Sequence, residues 1–250
     1  LFLYREEAFC YEPLQIMIDK QRPDWNESIQ GMFSRISKRY DLLNTLMSFG
    51  RDRLWRELVL HHAGIPSEGS LLDLGTGTGK IAIDAKRKNP GLTVAALDLT
   101  TDMMKVGRSR GPDSGVLWIN GDALNLPFED ERFDAVISGY LMRNVPDVGR
   151  AFREQLRVVK RGGRVVCLDT CPGGSHLLKP LVDLYFRIVI PLMGGLVSGQ
   201  WDAYRYLPAS IRKFNSPREL ARIMEASGFT KVAFHTFMLE TVAILVGERA

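Results

Sequence analysis

The stretch LLDLGTGTGK, Leu71 to Lys80, constrains this chain more than any other. An apolar run ends in an acid, Asp73, and passes into Gly75, Gly77 and Gly79 before a helical pattern begins. Glycines spaced in this way strip one length of backbone of side chains and permit positive φ, so a ligand is expected to lie close to it. The strand–loop–helix order then recurs. Apolar runs at 71–75, 93–99, 116–120, 133–139 and 164–169 alternate with helical patterns at 80–88, 101–110 and 148–160, the last expected to stop at Gly162-Gly163. Near-continuous apolar runs are what strands acquire when helices cover both faces of a sheet. The order predicts an open, doubly wound α/β fold. A helix over 216–228, then KVAFHTF and ETVAILVGE, predicts a final hairpin that adds one antiparallel strand to an otherwise parallel sheet.

Three loops of this kind bind different ligands, and the residues separate them. A phosphate-binding P-loop needs GxxxxGK[ST], but Leu74 stands five before Gly79 and Ile81 follows Lys80. A dinucleotide loop GxGxxG would need glycine at Lys80. What remains is the acid-x-GxGxG motif of enzymes that bind S-adenosylmethionine (SAM), with S-adenosylhomocysteine as product. SAM carries an ammonium and a sulfonium and no pyrophosphate, so its site needs carboxylates. Asp73 is suited to the amino-acid end. Asp98, 19 residues beyond Gly79 at the end of the second strand, is suited to the ribose hydroxyls. Asp122 after the third strand is suited to the adenine amino group, with Leu99, Met103 and Ala123 around the ring. Thr76 in the loop and Ser138 at the end of the fourth strand complete the expected cofactor set. Asp134 begins a strand and is read as a turn residue. Together with the terminal hairpin, these positions predict a class I SAM-methyltransferase fold with helical caps.

The remaining chain divides around that core: 1–69 as an N-terminal helical cap, 70–171 as the SAM-binding core, 172–215 as an inserted helical lid, and 216–250 as the last helix and hairpin. Both helical segments are expected to cap the C-terminal edge of the strands, where open α/β sheets bind ligands. The run Leu177–Gly199 is apolar, but Lys179, Asp183 and Arg187 interrupt it, and charges inside a span are costly. Pro180, Pro191 and Gly194-Gly195 are expected to break it into helical segments with one apolar face. Three cysteines (Cys10, Cys167, Cys171) form no even framework and suggest a reducing compartment. Four histidines show no metal spacing, so no metal is expected. The net charge of +4 implies a mildly basic surface. The chain opens on Leu1 without methionine, so its first residues are expected to be truncated or tag-derived.

YDLLNTLMSFGRDRLW (40–55), LMRNVPD (141–147), RVVKRGGRVVCLDTC (157–171) and DAYRYLPASIRKF (202–214) resemble the ubiquinone/menaquinone biosynthesis C-methyltransferases. The resemblance runs from about residue 30 to the end. It implies methyl transfer from SAM to a ring carbon of a polyprenyl benzoquinol or naphthoquinol, with transient contact to a membrane surface, a cytoplasmic location and no nucleic acid partner; a homodimer is left open. Three departures stand out. Asp52 replaces a usual histidine, Asp169-x-Cys171 replaces Glu-x-Ser, and one extra residue lies between ISG and RNV.

Carbon methylation of a quinol requires a ring hydroxyl to give up its proton, and a phenol such as tyrosine has a pKa of about 10. A guanidinium beside the forming phenolate lowers that barrier. Arg143, after the fourth strand, is expected in that role, with Asn144 orienting a water or ring oxygen. Tyr40, Tyr204, Arg205 and Tyr206 are expected to close the site, and His176 is a candidate base. The run 177–199 is expected to hold the isoprenoid tail. Two other readings stand beside this one: methylation of another small apolar molecule, and a SAM-fold subunit without turnover. Nucleic-acid methylation is disfavoured. No Asp/Asn-Pro-Pro-Tyr follows the fourth strand, and Cys171-Pro172 reverses the Pro-Cys order of a cysteine nucleophile.

Overall fold

The computed structural model describes residues 18–111, 115–174 and 177–250; Cys10 and His176 lie outside them. In chain order the elements are α1 (Trp25–Met47), α2 (Asp52–Ala63), β1 (Ser70–Leu74), α3 (Lys80–Lys88), β2 (Thr93–Asp98), α4 (Thr101–Arg110), β3 (Val116–Asn120), β4 (Phe133–Gly139), α5 (Val148–Val158) and β5 (Val159–Thr170). Then follow α6 (Lys179–Leu184), a π-helical turn (Tyr185–Val189), α7 (Ile190–Ser198), α8 (Trp201–Lys213), α9 (Pro217–Ala226), β6 (Thr230–Phe237) and β7 (Val242–Glu248).

The seven strands form one sheet in the order β3-β2-β1-β4-β5-β7-β6. All neighbours are parallel except at β7, which runs antiparallel to both β5 and β6. The predicted hairpin is therefore present, and it supplies the antiparallel strand. Asp73 pairs with Ala96 on one side and Ile137 on the other, and Asp98 pairs with Asn120. This register carries both acids to one edge of the sheet. On one face Phe152, Leu220 and Met224 belong to one continuous core with Leu72, Leu74 and Leu97. On the other face Trp55, Val59 and Ala63 of α2 share a core with Leu71, Val94 and Ile137.

Local chemistry sets the element ends. α2 stops at Gly64 in the left-handed region (φ 57°). α9 starts with a capping box, Ser216 with Glu219, and Pro217 in its first turn. Asp134 was expected to serve the turn before its strand; instead it accepts hydrogen bonds from the Ser70 backbone and hydroxyl at 2.8 and 2.7 Å and ties β4 to β1. Gly162-Gly163 do not end a helix. α5 stops at Val158, and the glycines sit inside β5 where the pairing slips between Phe133 and Ala135. Backbone bonds between Gly162, Gly163 and Arg249 hold that bulge.

The helical lid differs from expectation in two ways. Residues Lys179–Ser198 form one unbroken helical run. A π turn immediately before Pro191 shifts the helical register where the proline lacks its donor. Gly194-Gly195 serve packing instead: a Cβ there would meet the rings of Tyr204 and Trp201 at 2.0 and 2.3 Å. The run is also apolar on both faces. Leu177, Leu181, Leu184, Ile188, Leu192 and Leu196 are exposed at helical spacing, while Ile190 and Gly194 are buried. Only 17% of its most apolar window is covered.

Candidate active site

Gly75, Gly77 and Gly79 all adopt positive φ, 67°, 57° and 72°. Gly75 and Gly77 line two narrow cavities that flank the loop. Gly79 lines neither. Its missing Cβ makes room for Trp118 of β3, whose ring would stand 2.2 Å away from it. The same ring fills the space above Gly107 of α4. The third glycine is therefore a packing requirement rather than part of the ligand surface.

Asp73 is 1% exposed. One carboxylate oxygen, Oδ2, accepts from Thr76 Oγ1 at 2.6 Å and from the Ala82 amide at 3.0 Å. Its Oδ1 is buried without a partner. Burial pushes the Asp73 carboxyl up to about 7. Asp98 accepts from the Gly77 and Thr100 amides, both at 2.7 Å. It thus ties the glycine loop to β2, and burial raises its pKa as well. Asp122 accepts from the Leu124 amide at 2.9 Å. Leu99, Met103, Asp122 and Ala123 line the same cavity as Asp98. Thr76 lines the other cavity with Asp73. Ser138 is fully buried in β4 and lines none of the cavities. An orphaned carboxylate oxygen beside a side-chain-free backbone fits a cationic amino-acid end, and an apolar-walled groove with two acids fits a nucleoside. The residues present therefore suit SAM. Among the described residues no cluster of His, Cys, Asp and Glu suits a metal.

Beyond the cradle lies a cavity of about 620 Å³, lined mostly by apolar and aromatic side chains of α1, the π turn and α8. Tyr40 and Tyr140 line this cavity and both narrow ones, so the three meet at these rings. Arg143 is 5% exposed and contributes to the wall. Its Nη1 donates to Asp169 Oδ1 and to the Tyr140 carbonyl, each at 2.9 Å, and its amide donates to Asp169 Oδ2 at 3.1 Å. Its Nε is buried without an acceptor. Burial opposes the guanidinium charge, but Asp169 together with the Tyr40 and Tyr206 phenols outweighs it and raises the Arg143 pKa above its ordinary value. Tyr204 lines the cavity with an unpartnered hydroxyl.

Two expected residues take other places. The Asn144 side chain donates to the Tyr140 carbonyl at 3.0 Å and accepts from Tyr206 Oη at 2.8 Å. With both ends of its amide engaged it positions Tyr206 and lines only the cofactor side. Arg205 is exposed and lines no cavity. Successive helical residues turn by about 100°, so the sector of α8 that carries Ala203, Tyr204, Tyr206 and Leu207 leaves Arg205 on the opposite side. His176 lies outside the described residues.

Tyr140 and Asp169 were not foreseen as site residues. Tyr140 directly follows β4 and holds φ 59° without being glycine, a strained position of the kind found at functional sites. Its place after a strand end was a readable signal. The Arg143–Asp169 pair joins residues 26 apart, and nothing local announces it.

Sheet order, glycine cradle and converging acids together define a class I SAM-dependent methyltransferase. The chain belongs to the ubiE/COQ5 methyltransferase family, whose model matches residues 20–249. It is 42% identical over 88% of its length to the ubiquinone/menaquinone biosynthesis C-methyltransferase UbiE of Desulfotalea psychrophila, 90% of which is covered. It is 39% identical over 88% of its length to a demethylmenaquinone methyltransferase of Roseiflexus, 93% of which is covered. Among solved structures it is similar to a SAM-dependent methyltransferase of Thermotoga maritima, described as a possible histamine N-methyltransferase. That match has a TM-score of 0.61, 21% identity, and covers 88% of this chain and 99% of the other; it speaks to the fold alone.

Proposed function

We propose that this enzyme transfers a methyl group from SAM to a ring carbon of a polyprenyl quinol, a demethylmenaquinol or a ubiquinol precursor, at a membrane surface. The observation that carries this reading is the distribution of polarity in the large cavity. Two buried donors without partners, Arg143 Nε and Tyr204 Oη, belong to residues of walls that are mostly apolar and aromatic. A hydrocarbon chain ending in one oxygenated ring matches that pattern, and a ring oxygen would satisfy donors that are costly to leave unpaired.

Bound SAM supplies an electrophilic methyl group. Arg143 favours negative charge on a ring oxygen, which raises electron density at the adjacent carbon. Asp169 holds the guanidinium in place and offsets the cost of burying it. The five tyrosines of the cavity, Tyr40, Tyr140, Tyr185, Tyr204 and Tyr206, act as neutral donors at pH 7. Burial raises every one of their phenols, that of Tyr206 to about 12. The α6–α8 lid keeps the reacting ring away from water, which strengthens each charge interaction inside.

The tail leaves through a mouth where Phe49, Leu181 and Leu239 both line the cavity and stand exposed. The outer leucine stripe of α6–α7 begins beside that mouth. Lys179–Ser198 is long and apolar enough to cross a bilayer by length and composition. Its inner face, however, is a wall of the cavity, and withdrawing it would open the site. We assign it to the interface plane, as for an amphipathic helix lying on a bilayer. Cys167 and Cys171 are free and buried, which suits the cytoplasmic side.

Incubation with SAM and either demethylmenaquinol or a short-chain benzoquinol precursor, followed by mass spectrometry, is expected to give a ring-methylated product. Arg143→Lys is expected to lower turnover at least about tenfold while SAM affinity stays within about twofold, because lysine lacks the planar fork. Intact SAM binding with no product from either quinol would discard the substrate class.

A further inference from the structure

The cavity on the Asp73 side of the glycine loop contains charges that the reading so far leaves unused. It lies between α1, the start of α2 and the start of α3, and holds Asp41, Asp52, Arg56 and Lys80 besides Asp73. Arg56 is committed: Nη1 donates to Asp52 at 2.6 Å and Nε to Asp84 at 3.2 Å. The two acids nearest Lys80 are also engaged. Asp41 accepts from Thr78 Oγ1 at 2.8 Å and pairs with Arg110. Asp52 accepts from Arg56, Ser48 and Thr45. Lys80 Nζ stands 3.7 Å from Asp41 and 3.8 Å from Asp52, attracted by both and in hydrogen-bonding distance of neither. Its side chain is one-third exposed at the first position of α3, where the helix dipole adds positive potential.

A zwitterion requires one anion and one cation facing the same small space. The buried, unpartnered Asp73 Oδ1 is the anion. We infer that Lys80 is the cation and that it binds the carboxylate of the amino-acid end of SAM, an inference that rests on the SAM-site reading of this cradle. Asp41 and Asp52 hold the ammonium aimed at the cavity without capping it, so the ligand replaces weak contacts rather than breaking a formed bond. Arg56 and Arg110 keep those two acids from capturing Lys80 outright. Asp52, the departure from the family pattern noted above, thereby acquires a role as a positioning residue for Lys80.

The test uses the full chain and isothermal titration with three probes: SAM, decarboxylated SAM and 5′-methylthioadenosine. The last two lack the carboxylate alone and the whole amino-acid end, respectively. Unmutated protein is expected to bind SAM about tenfold or more tighter than decarboxylated SAM. Lys80→Met is expected to erase that preference while its affinity for methylthioadenosine stays within about twofold, which also reports a folded site. Lys80→Arg is expected to retain most of the preference, since the charge is kept. Equal weakening of SAM and decarboxylated SAM by Lys80→Met, or an unchanged preference, would overturn the role of Lys80 and leave the SAM site standing. Failure of the unmutated protein to bind SAM and methylthioadenosine alike would overturn both.

Discussion

The cradle that receives SAM and the cavity beside it share Tyr40 and Tyr140 but are assembled on opposite principles. The cradle takes its acids from Asp73, Asp98 and Asp122, within about fifty residues, and each lies within two residues of a strand end. The cavity draws its wall from Met32 to Val242, across α1, the lid and the turn between β6 and β7. Its polar groups are scattered among apolar and aromatic side chains, and two of them are buried donors without partners. Charged ligands must meet charges at fixed points, and strand ends are the places where a backbone can guarantee them. A hydrocarbon needs only volume and dryness, which many side-chain combinations provide. One half of the site is therefore specified by position, the other by composition.

The sharpest break in that comparison comes from Gly79. Gly79→Ala forces a Cβ into the Trp118 ring and keeps φ at 72°. Overpacking and backbone strain each cost about 1–3 kcal/mol, so destabilisation of about 3 kcal/mol is expected by urea unfolding. Gly162→Ala has the same φ sign with nothing within 4 Å and is expected to lose only about 1 kcal/mol. Equal losses would show that the ring contact contributes nothing.

The electrostatic half is read by pH. The Asp73 carboxyl is raised to about 7 by burial, so below that pH the folded protein without ligand favours its protonated form. That group adds stability as the pH falls from about 7 towards the ordinary aspartate value of about 3.9. Binding an ammonium favours the ionised form. SAM affinity is therefore expected to rise with pH between about 5.5 and about 7.5, and to fall once the ligand α-amino group, with a pKa near about 8, loses its proton. Asp73→Asn is expected to weaken binding about tenfold at neutral pH and to flatten much of the acid limb. Asp98, raised in the same direction, accounts for any slope that survives. Titration calorimetry across that range decides it, and an unaltered slope in Asp73→Asn would remove Asp73 from contact with the ammonium.

The smallest effect belongs to the lid's outer stripe. Leu181→Glu with Ile188→Glu is expected to reduce flotation with phospholipid vesicles several-fold and to leave SAM affinity within about twofold, since each charge opposes apolar insertion. Undiminished flotation would place the membrane contact elsewhere.

Much of this was legible in the residues because α/β folds write their active sites in strand order. The Asp73, Asp98 and Asp122 positions follow from counting along predicted strands, as does the loop that carries Arg143. Roles that depend on what stands opposite were not legible. Asn144 was expected beside the substrate and instead holds Tyr206, because Tyr206 arrives from a helix 62 residues away. Arg205 sits between two cavity tyrosines in sequence and points outward, because helical phase, unlike adjacency, decides direction. Gly194-Gly195 look like helix breakers until the rings that rest on them are known.

Trp118 gives the glycine loop a dependence that the loop's own motif does not display. Its indole fills two gaps at once, above Gly79 and above Gly107, and so joins the third glycine to a strand at the far edge of the sheet. A smaller side chain at 118 would lift the ring contact at both positions, but the Thr78 carbonyl would still crowd a Cβ at 107 and φ 72° would still favour glycine at 79; a larger residue at either glycine would demand a smaller one at 118. The three sites therefore share one steric constraint, so that a change at any of them alters what the other two can accommodate.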